Sequence, residues 1–321
     1  MSIVRDNKII CLRVLTCLLL VWEHYSANLT SPNKLSLLVT GSGAVSMFFV
    51  ISGYLSISSY ENAGKSFMQY IKKKLMAIVP MYYFILIVAV IFQYVSEHQV
   101  GIYWIRYFTF TNMLIPSHNF PVCNNMYGFW FMSNLFIYYF LTPILYKLFQ
   151  KFNKEMICLG TVIIFFAQRI VIDAGIFGTL EVDSNINPFA TLYLFVLGMY
   201  VAVACKDKFQ SKAAFFIGLV LLMVLIINKS GYILWGVAAA VILLTTEEKL
   251  VIKLKPVNVV LNWLDKLSFP IYITHMIIFS IYISINNDNL FKMSDLVICI
   301  VITLVASFIL YKLNTGIKKL L

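Results

Sequence analysis

Ile9-Ile10-Cys11-Leu12-Arg13-Val14-Leu15-Thr16-Cys17-Leu18-Leu19-Leu20-Val21-Trp22-Glu23-His24-Tyr25 decides what kind of molecule this is. An apolar helix of about 17–25 residues is long enough to cross a bilayer. Similar runs recur to the far end of the 321-residue chain, which is 61% hydrophobic and only 12% charged, with a mean hydropathy of +0.86. A water-soluble domain carries roughly 25% charged residues, so a soluble nucleotide-binding fold, a disordered chain and a DNA-binding domain are excluded. The same hydropathy excludes a secreted disulfide scaffold; the six cysteines are scattered, with only Cys123 in an outer loop, so neither an outer disulfide pair nor a metal spacing is expected. Long solid apolar runs, rather than short alternating ones, also exclude a β-barrel. The expectation is an all-α, polytopic integral membrane protein.

Ten spans can be read, near 9–28, 36–58, 76–96, 128–146, 155–174, 188–205, 213–228, 232–246, 268–285 and 293–311. Basic residues mark cytoplasmic segments. With the N-terminus inside, every second loop is basic: Lys65 with Lys72, Lys73 and Lys74, then Lys147, Lys151 and Lys154, then Lys206, Lys208 and Lys212, then Lys249, Lys253, Lys255 and Lys266. Only Lys34, Arg106, Lys229 and Lys292 fall outside, so both termini are expected in the cytoplasm. The net charge of +11 is therefore a topology signal, and no nucleic-acid partner is expected. The first span follows Arg5 and Lys8 without a small-residue cleavage site, as in an uncleaved anchor. A single transmembrane domain over 1–321 without an appended soluble domain is expected. A short surface helix is expected within the outer stretch 97–127, and Lys255–Asp265 reads as an amphipathic cytoplasmic helix.

Ionisable groups inside hydrocarbon are costly and normally face a cavity or a partner. Arg13 and His24 stand eleven residues apart, close to three helical turns, so they share a face with about 16 Å of axial rise between them. Arg13 near the cytoplasmic end could simply snorkel to the interface, and a single buried histidine can be a packing residue. Together on one face they suit a long anionic ligand entering from the cytoplasm, its reactive end at His24. Glu23 points about 100° away from His24 on the helix. It is expected to pair with a neighbouring span rather than to orient the imidazole. In Met47–Leu55, Ser52-Gly53 interrupts an apolar run, which fits close helix approach or a kink.

His118, amid Asn112, Ser117, Asn119, Asn124 and Asn125, either lines an acceptor entrance or is a solvated loop residue. Trp130, Tyr138 and Tyr139 are either a sugar-stacking set or interfacial and core aromatics. His275 reads as a helix-start residue at the cytoplasmic interface, and Arg169 with Asp173 as a helical ion pair.

The chain resembles the acyltransferase 3 family of membrane acyltransferases. Its Arg-x10-His signature stands as Arg13 to His24, and Phe48-Phe49-Val50-Ile51-Ser52-Gly53-Tyr54 is similar to its second-span signature. Lys72-Lys73-Lys74 through Val79-Pro80-Met81-Tyr82 resembles its basic segment before Pro-x-Tyr, although an arginine common three residues before that proline is Ala77 here. Phe129-Trp130-Phe131-Met132 through Tyr138, Tyr139 and Pro143, Phe195-Val196-Leu197-Gly198-Met199, and Ser268 through Tyr272 to His275 follow in the family's order.

The resemblance implies transfer of an acyl group, most often acetyl, from cytoplasmic acyl-CoA to a hydroxyl of an extracytoplasmic or lipid-linked glycan, in a bacterial cytoplasmic membrane. It implies His24 as general base with Glu23 beside it and acetyl-CoA as co-substrate with no metal. Arg13, Ser52, Lys72, Lys73 and Lys74 are then the donor-binding set, and His118, Trp130 and Tyr138 the acceptor side. Guanidinium and ammonium groups suit the phosphates of coenzyme A. The alternative is a transporter or flippase of a glycan or lipid precursor, which would bring inverted repeats and paired broken helices; neither is visible. A glycan polymerase or ligase would place several arginines in a large outer loop, where Arg106 stands alone.

Overall fold

In a computed structural model, the described residues are 7–26, 41–98, 100–114, 128–175, 187–205, 231–245, 254–286 and 292–320. They form α1 (Asn7–Ser26), α2 (Gly41–Glu61), α3 (Phe67–Glu97), a 3-10 turn (Ile102–Trp104) leading into the short α4 (Ile105–Phe108), α5 (Trp130–Lys151), α6 (Lys154–Asp173), α7 (Pro188–Cys205), α8 (Gly231–Thr245), α9 (Lys255–Asn286) and α10 (Met293–Leu320). There is no strand among the described residues. Among the described residues, five helices are long and apolar enough to cross a membrane: Asn7–Ser26, Gly43–Glu61, Phe67–Glu97, Lys255–Asn286 and Met293–Lys318. Glu155–Gln168 and Pro188–Val203 are shorter apolar helices. The chain is a multi-pass, all-helical membrane protein. The span expected at 213–228 lies outside the described residues.

Lys255–Asp265 is helical, as expected, but as the opening of α9, which runs on unbroken for 32 residues with Pro270 inside. Proline removes one N–H and kinks a helix without necessarily ending it. A short helix stands within the stretch 97–127, as α4.

The chain divides into two compact units, Met1–Ile51 with Val201–Leu321, and Ser52–Tyr200. In the first, α9 lies along both α1 and α10. Buried polar groups join them, as suits helices in lipid, where interhelical hydrogen bonds and close packing replace the hydrophobic drive. The Tyr25 hydroxyl donates to the His275 carbonyl at 3.1 Å or shares a proton with Thr303 at 2.7 Å, and Thr274 meets Ser307 at 2.9 Å. Around them pack Cys17, Val21, Leu267, Ile271, Phe279, Leu296 and Cys299.

In the second unit, α2 turns into α3 through Gly64 and Lys65, at φ 62° and 57°. Ser66 caps α3 by accepting from the Gln69 N–H. Tyr82 and Tyr83 on α3 donate to the carbonyls of Tyr107 and Phe108, at 3.0 and 2.7 Å, which pins α4. Gly53 on α2 lies against the backbone of α7. A Cβ there would sit 2.0 Å from the Phe195 carbonyl oxygen and 3.2 Å from the Met199 nitrogen. The Ser-Gly pair of the second span thus serves close helix approach, and its partner is the Phe195–Met199 stretch. Because the clash is with backbone, Gly53→Ala is expected to lower stability by about 1–3 kcal/mol, read as a drop in thermal midpoint in detergent; an unchanged midpoint would contradict the contact.

Candidate functional site

Polar contacts between α1 and α9 occur at two levels. At the first, the Arg13 guanidinium reaches the Asp265 carboxylate at 3.1 Å and donates to the Ser268 hydroxyl at 3.2 Å. Ser268 in turn donates to the Asp265 carbonyl at 2.8 Å, and the Cys17 thiol donates to the Ser268 carbonyl at 3.4 Å. Asp265 is 1% exposed, whereas the Arg13 side chain is 30% exposed. One part of the guanidinium is therefore committed to α9 while the rest stays accessible. Guanidinium has five donors in a planar fork, enough to hold a carboxylate and still meet an anionic ligand.

At the second level, Nδ1 of His24 lies 2.8 Å from Nε2 of His275. Residue numbers rise together on the two helices, from Arg13 with Asp265 to His24 with His275, so α1 and α9 run parallel. The imidazole rings are 5° apart in plane with centroids 5.1 Å apart. The short N···N contact plus two ring radii accounts for that separation, so the rings lie end to end in one plane rather than face to face. Nδ1 of His275 faces two carbonyl oxygens of its own helix, Tyr272 at 2.7 Å and Ile271 at 3.1 Å. On the other side of His24, Nε2 lies 3.3 Å from a Glu23 carboxylate oxygen. His275 is buried, and His24 and Glu23 are half-buried.

Two sequence expectations change here. Glu23, not expected to orient the imidazole, has a carboxylate oxygen 3.3 Å from its Nε2. His275 is no interface residue at a helix start. It sits twenty residues into α9, 1% exposed and bonded to His24. In the sequence, Asp265 is simply the end of the expected amphipathic helix Lys255–Asp265. The only sign of its role is that it stands three residues before Ser268 of the family's last motif.

The other candidates are dispersed. Ser52 is half-buried on α2, and Lys72 and Lys73 are exposed on α3, all in the second unit. Lys74 is held over two rings, 4.3 Å from the Tyr139 centroid and 5.3 Å from that of Tyr70. Trp130 and Tyr138 are buried on α5, and the Tyr138 hydroxyl meets Thr191 at 2.6 Å. Neither offers an open ring face. His118 lies outside the described residues, and the side chains of Arg169 and Asp173 are likewise not described. Among the described residues there is no group of three or more histidine, cysteine, aspartate or glutamate side chains that could hold a metal ion.

No curated protein and no solved structure matches the chain. The family model described as an acyltransferase domain, that of acyltransferase 3, matches residues 6–312 and so takes in α1, α9 and every candidate named above. A match over nearly the whole length, in a multi-helix membrane chain whose Arg13 and His24 are both fastened to one neighbouring helix, makes this protein a member of the acyltransferase 3 family of membrane acyltransferases.

Proposed function

We propose that this acyltransferase moves an acetyl group from cytoplasmic acetyl-CoA to a hydroxyl of an extracytoplasmic or lipid-linked glycan, in a bacterial cytoplasmic membrane. One observation carries the reading: His24 stands between Glu23 and His275, three turns along α1 from a guanidinium that is only partly committed to protein. The parallel course of α1 and α9 supports it, since both helices then carry their polar groups from the same membrane side to the same depth.

Arg13 binds an anionic part of coenzyme A, fixed in aim by Asp265 and Ser268. Lys72 and Lys73, exposed, attract its phosphates; Lys74 is drawn toward Tyr139 and contributes less. Ser52 belongs to the donor side, and His118, Trp130 and Tyr138 to the acceptor side. His24 takes the proton from the acceptor hydroxyl as that oxygen attacks the thioester carbonyl. The new C–O bond forms, the C–S bond breaks, and the coenzyme A thiolate leaves with the proton that His24 collected. Glu23 stabilises the imidazolium in between.

Free coenzyme A thiol is the direct readout. Purified protein with acetyl-CoA and a hydroxylated glycan acceptor is expected to release thiol only when the acceptor is present or at a much lower basal rate without it. Binding or release of neither donor nor product would overturn the reading.

A further inference from the structure

We infer that His275 is a positioning residue that fixes which nitrogen of His24 reacts: it holds a proton on Nδ1 of His24 and leaves Nε2, the nitrogen beside Glu23, to act as the base. This rests on the proposed acyl transfer for its catalytic consequence, but the hydrogen-bond logic stands on geometry alone.

The logic begins at the backbone. A carbonyl oxygen can only accept a hydrogen bond, and Nδ1 of His275 faces the carbonyls of Tyr272 and Ile271 at 2.7 and 3.1 Å. That nitrogen therefore carries a hydrogen in any protonation state. In neutral His275 the other nitrogen, Nε2, is then a lone pair, and it lies 2.8 Å from Nδ1 of His24. Two lone pairs at that distance would repel, so Nδ1 of His24 donates. A charged His275 would reverse this bond. Its surroundings argue against charge: from α1 it meets His24 and Tyr25, and from α9 the two carbonyls and the Tyr272 ring, with no carboxylate among these contacts and 1% exposure. A neutral His24 with its hydrogen on Nδ1 has its lone pair on Nε2; the Glu23 carboxylate lies 3.3 Å from that nitrogen without a hydrogen bond to it, so the closer contact at 2.8 Å decides where the hydrogen sits. The proton removed from the acceptor hydroxyl arrives at Nε2, giving an imidazolium whose Nδ1–H is bonded to His275 and whose charge lies beside the Glu23 carboxylate. The proton leaves from Nε2 to the coenzyme A thiolate, and Nδ1 keeps its hydrogen throughout. Such fixing of a tautomer by the far ring nitrogen is how orienting partners of a functional histidine act.

The test is histidine-selective ¹⁵N NMR of the full-length protein in micelles, with His24 signals assigned by their loss in His24→Gln, at a pH where a single neutral form is seen. The expected pattern for His24 is a pyrrole-like Nδ1 and a pyridine-like Nε2. The reverse pattern in the wild-type protein would overturn the inference, and this measurement needs no variant at position 275 to fold. His275→Leu is expected to give a mixture of tautomers and to lower kcat by about 10–100-fold with little change in KM for acetyl-CoA. His275→Gln, whose amide oxygen can accept at the former Nε2 position, is expected to restore the single tautomer and recover much of that loss. An unchanged His24 tautomer in His275→Leu, or equal losses in the Leu and Gln variants, would show a packing role and overturn it. If the wild-type protein transferred no acyl group yet showed the expected nitrogen pattern, the proposed function would fail and the assignment of tautomer would stand.

Discussion

His24→Ala is expected to lower kcat for acyl transfer by about 10²–10⁴-fold, the usual worth of a positioned general base, while the protein stays folded in the membrane. The imidazole bonds to His275, and α1 is also held to α9 through Arg13 and Cys17 and to α10 through Tyr25. Loss of one bond among several leaves the helix in place, so catalysis and folding separate. The check is steady-state kinetics with acetyl-CoA beside a thermal midpoint in detergent. Transfer at a rate like that of the wild-type protein would remove His24 from the mechanism.

Arg13→Ala has the second largest expected effect, on donor binding. Hydrogen bonds to charged groups are worth about 1.5–3 kcal/mol, which corresponds to a rise in KM for acetyl-CoA of about 10–100-fold. The same change removes the guanidinium from beside Asp265, which is 1% exposed. Breaking a buried ion pair from one side costs about 3–5 kcal/mol, so the single variant is also expected to be less stable. The double variant Arg13→Ala with Asp265→Asn separates the two effects, because it removes the buried charge along with its partner. Stability is expected to recover in the double variant while KM stays high. Unchanged donor affinity with weakened acceptor affinity would reverse the assignment of Arg13 to the donor.

The face of α1 was legible because ionisable side chains are rare in a bilayer and eleven residues make three turns; the structure fastens both Arg13 and His24 to α9. Gly53 was legible as a place of close approach, since a missing side chain in an apolar helix has few other uses. That Phe195 would face it needed the packed structure. The partners on α9 were hidden for a definite reason. Charge and hydropathy change near Lys266, so a boundary was drawn there, which put His275 a turn or two from the membrane surface and Asp265 outside it. The helix does not break at that boundary, and its 32 residues, about 48 Å long at helical rise, carry both residues into contact with α1. The contact of Glu23 with the imidazole was not legible, because the angle between neighbouring positions on a helix describes where Cβ points, not how far a carboxylate on a flexible stem reaches. The burial of Tyr138 against Thr191 could not be read from its type, because an aromatic residue looks the same in sequence in a sugar site and in a core.

The most direct measurement follows labelled acetyl-CoA into sealed membrane vesicles carrying either the wild-type protein or His24→Ala, with the labelled product identified by mass spectrometry. Acetyl label on a hydroxyl of a glycan or lipid-linked saccharide with the wild-type protein, and its near absence with His24→Ala, is the expected result. Equal labelling by both proteins, or acetyl-CoA left unconsumed while a glycan precursor crosses the membrane, would contradict acyl transfer at His24.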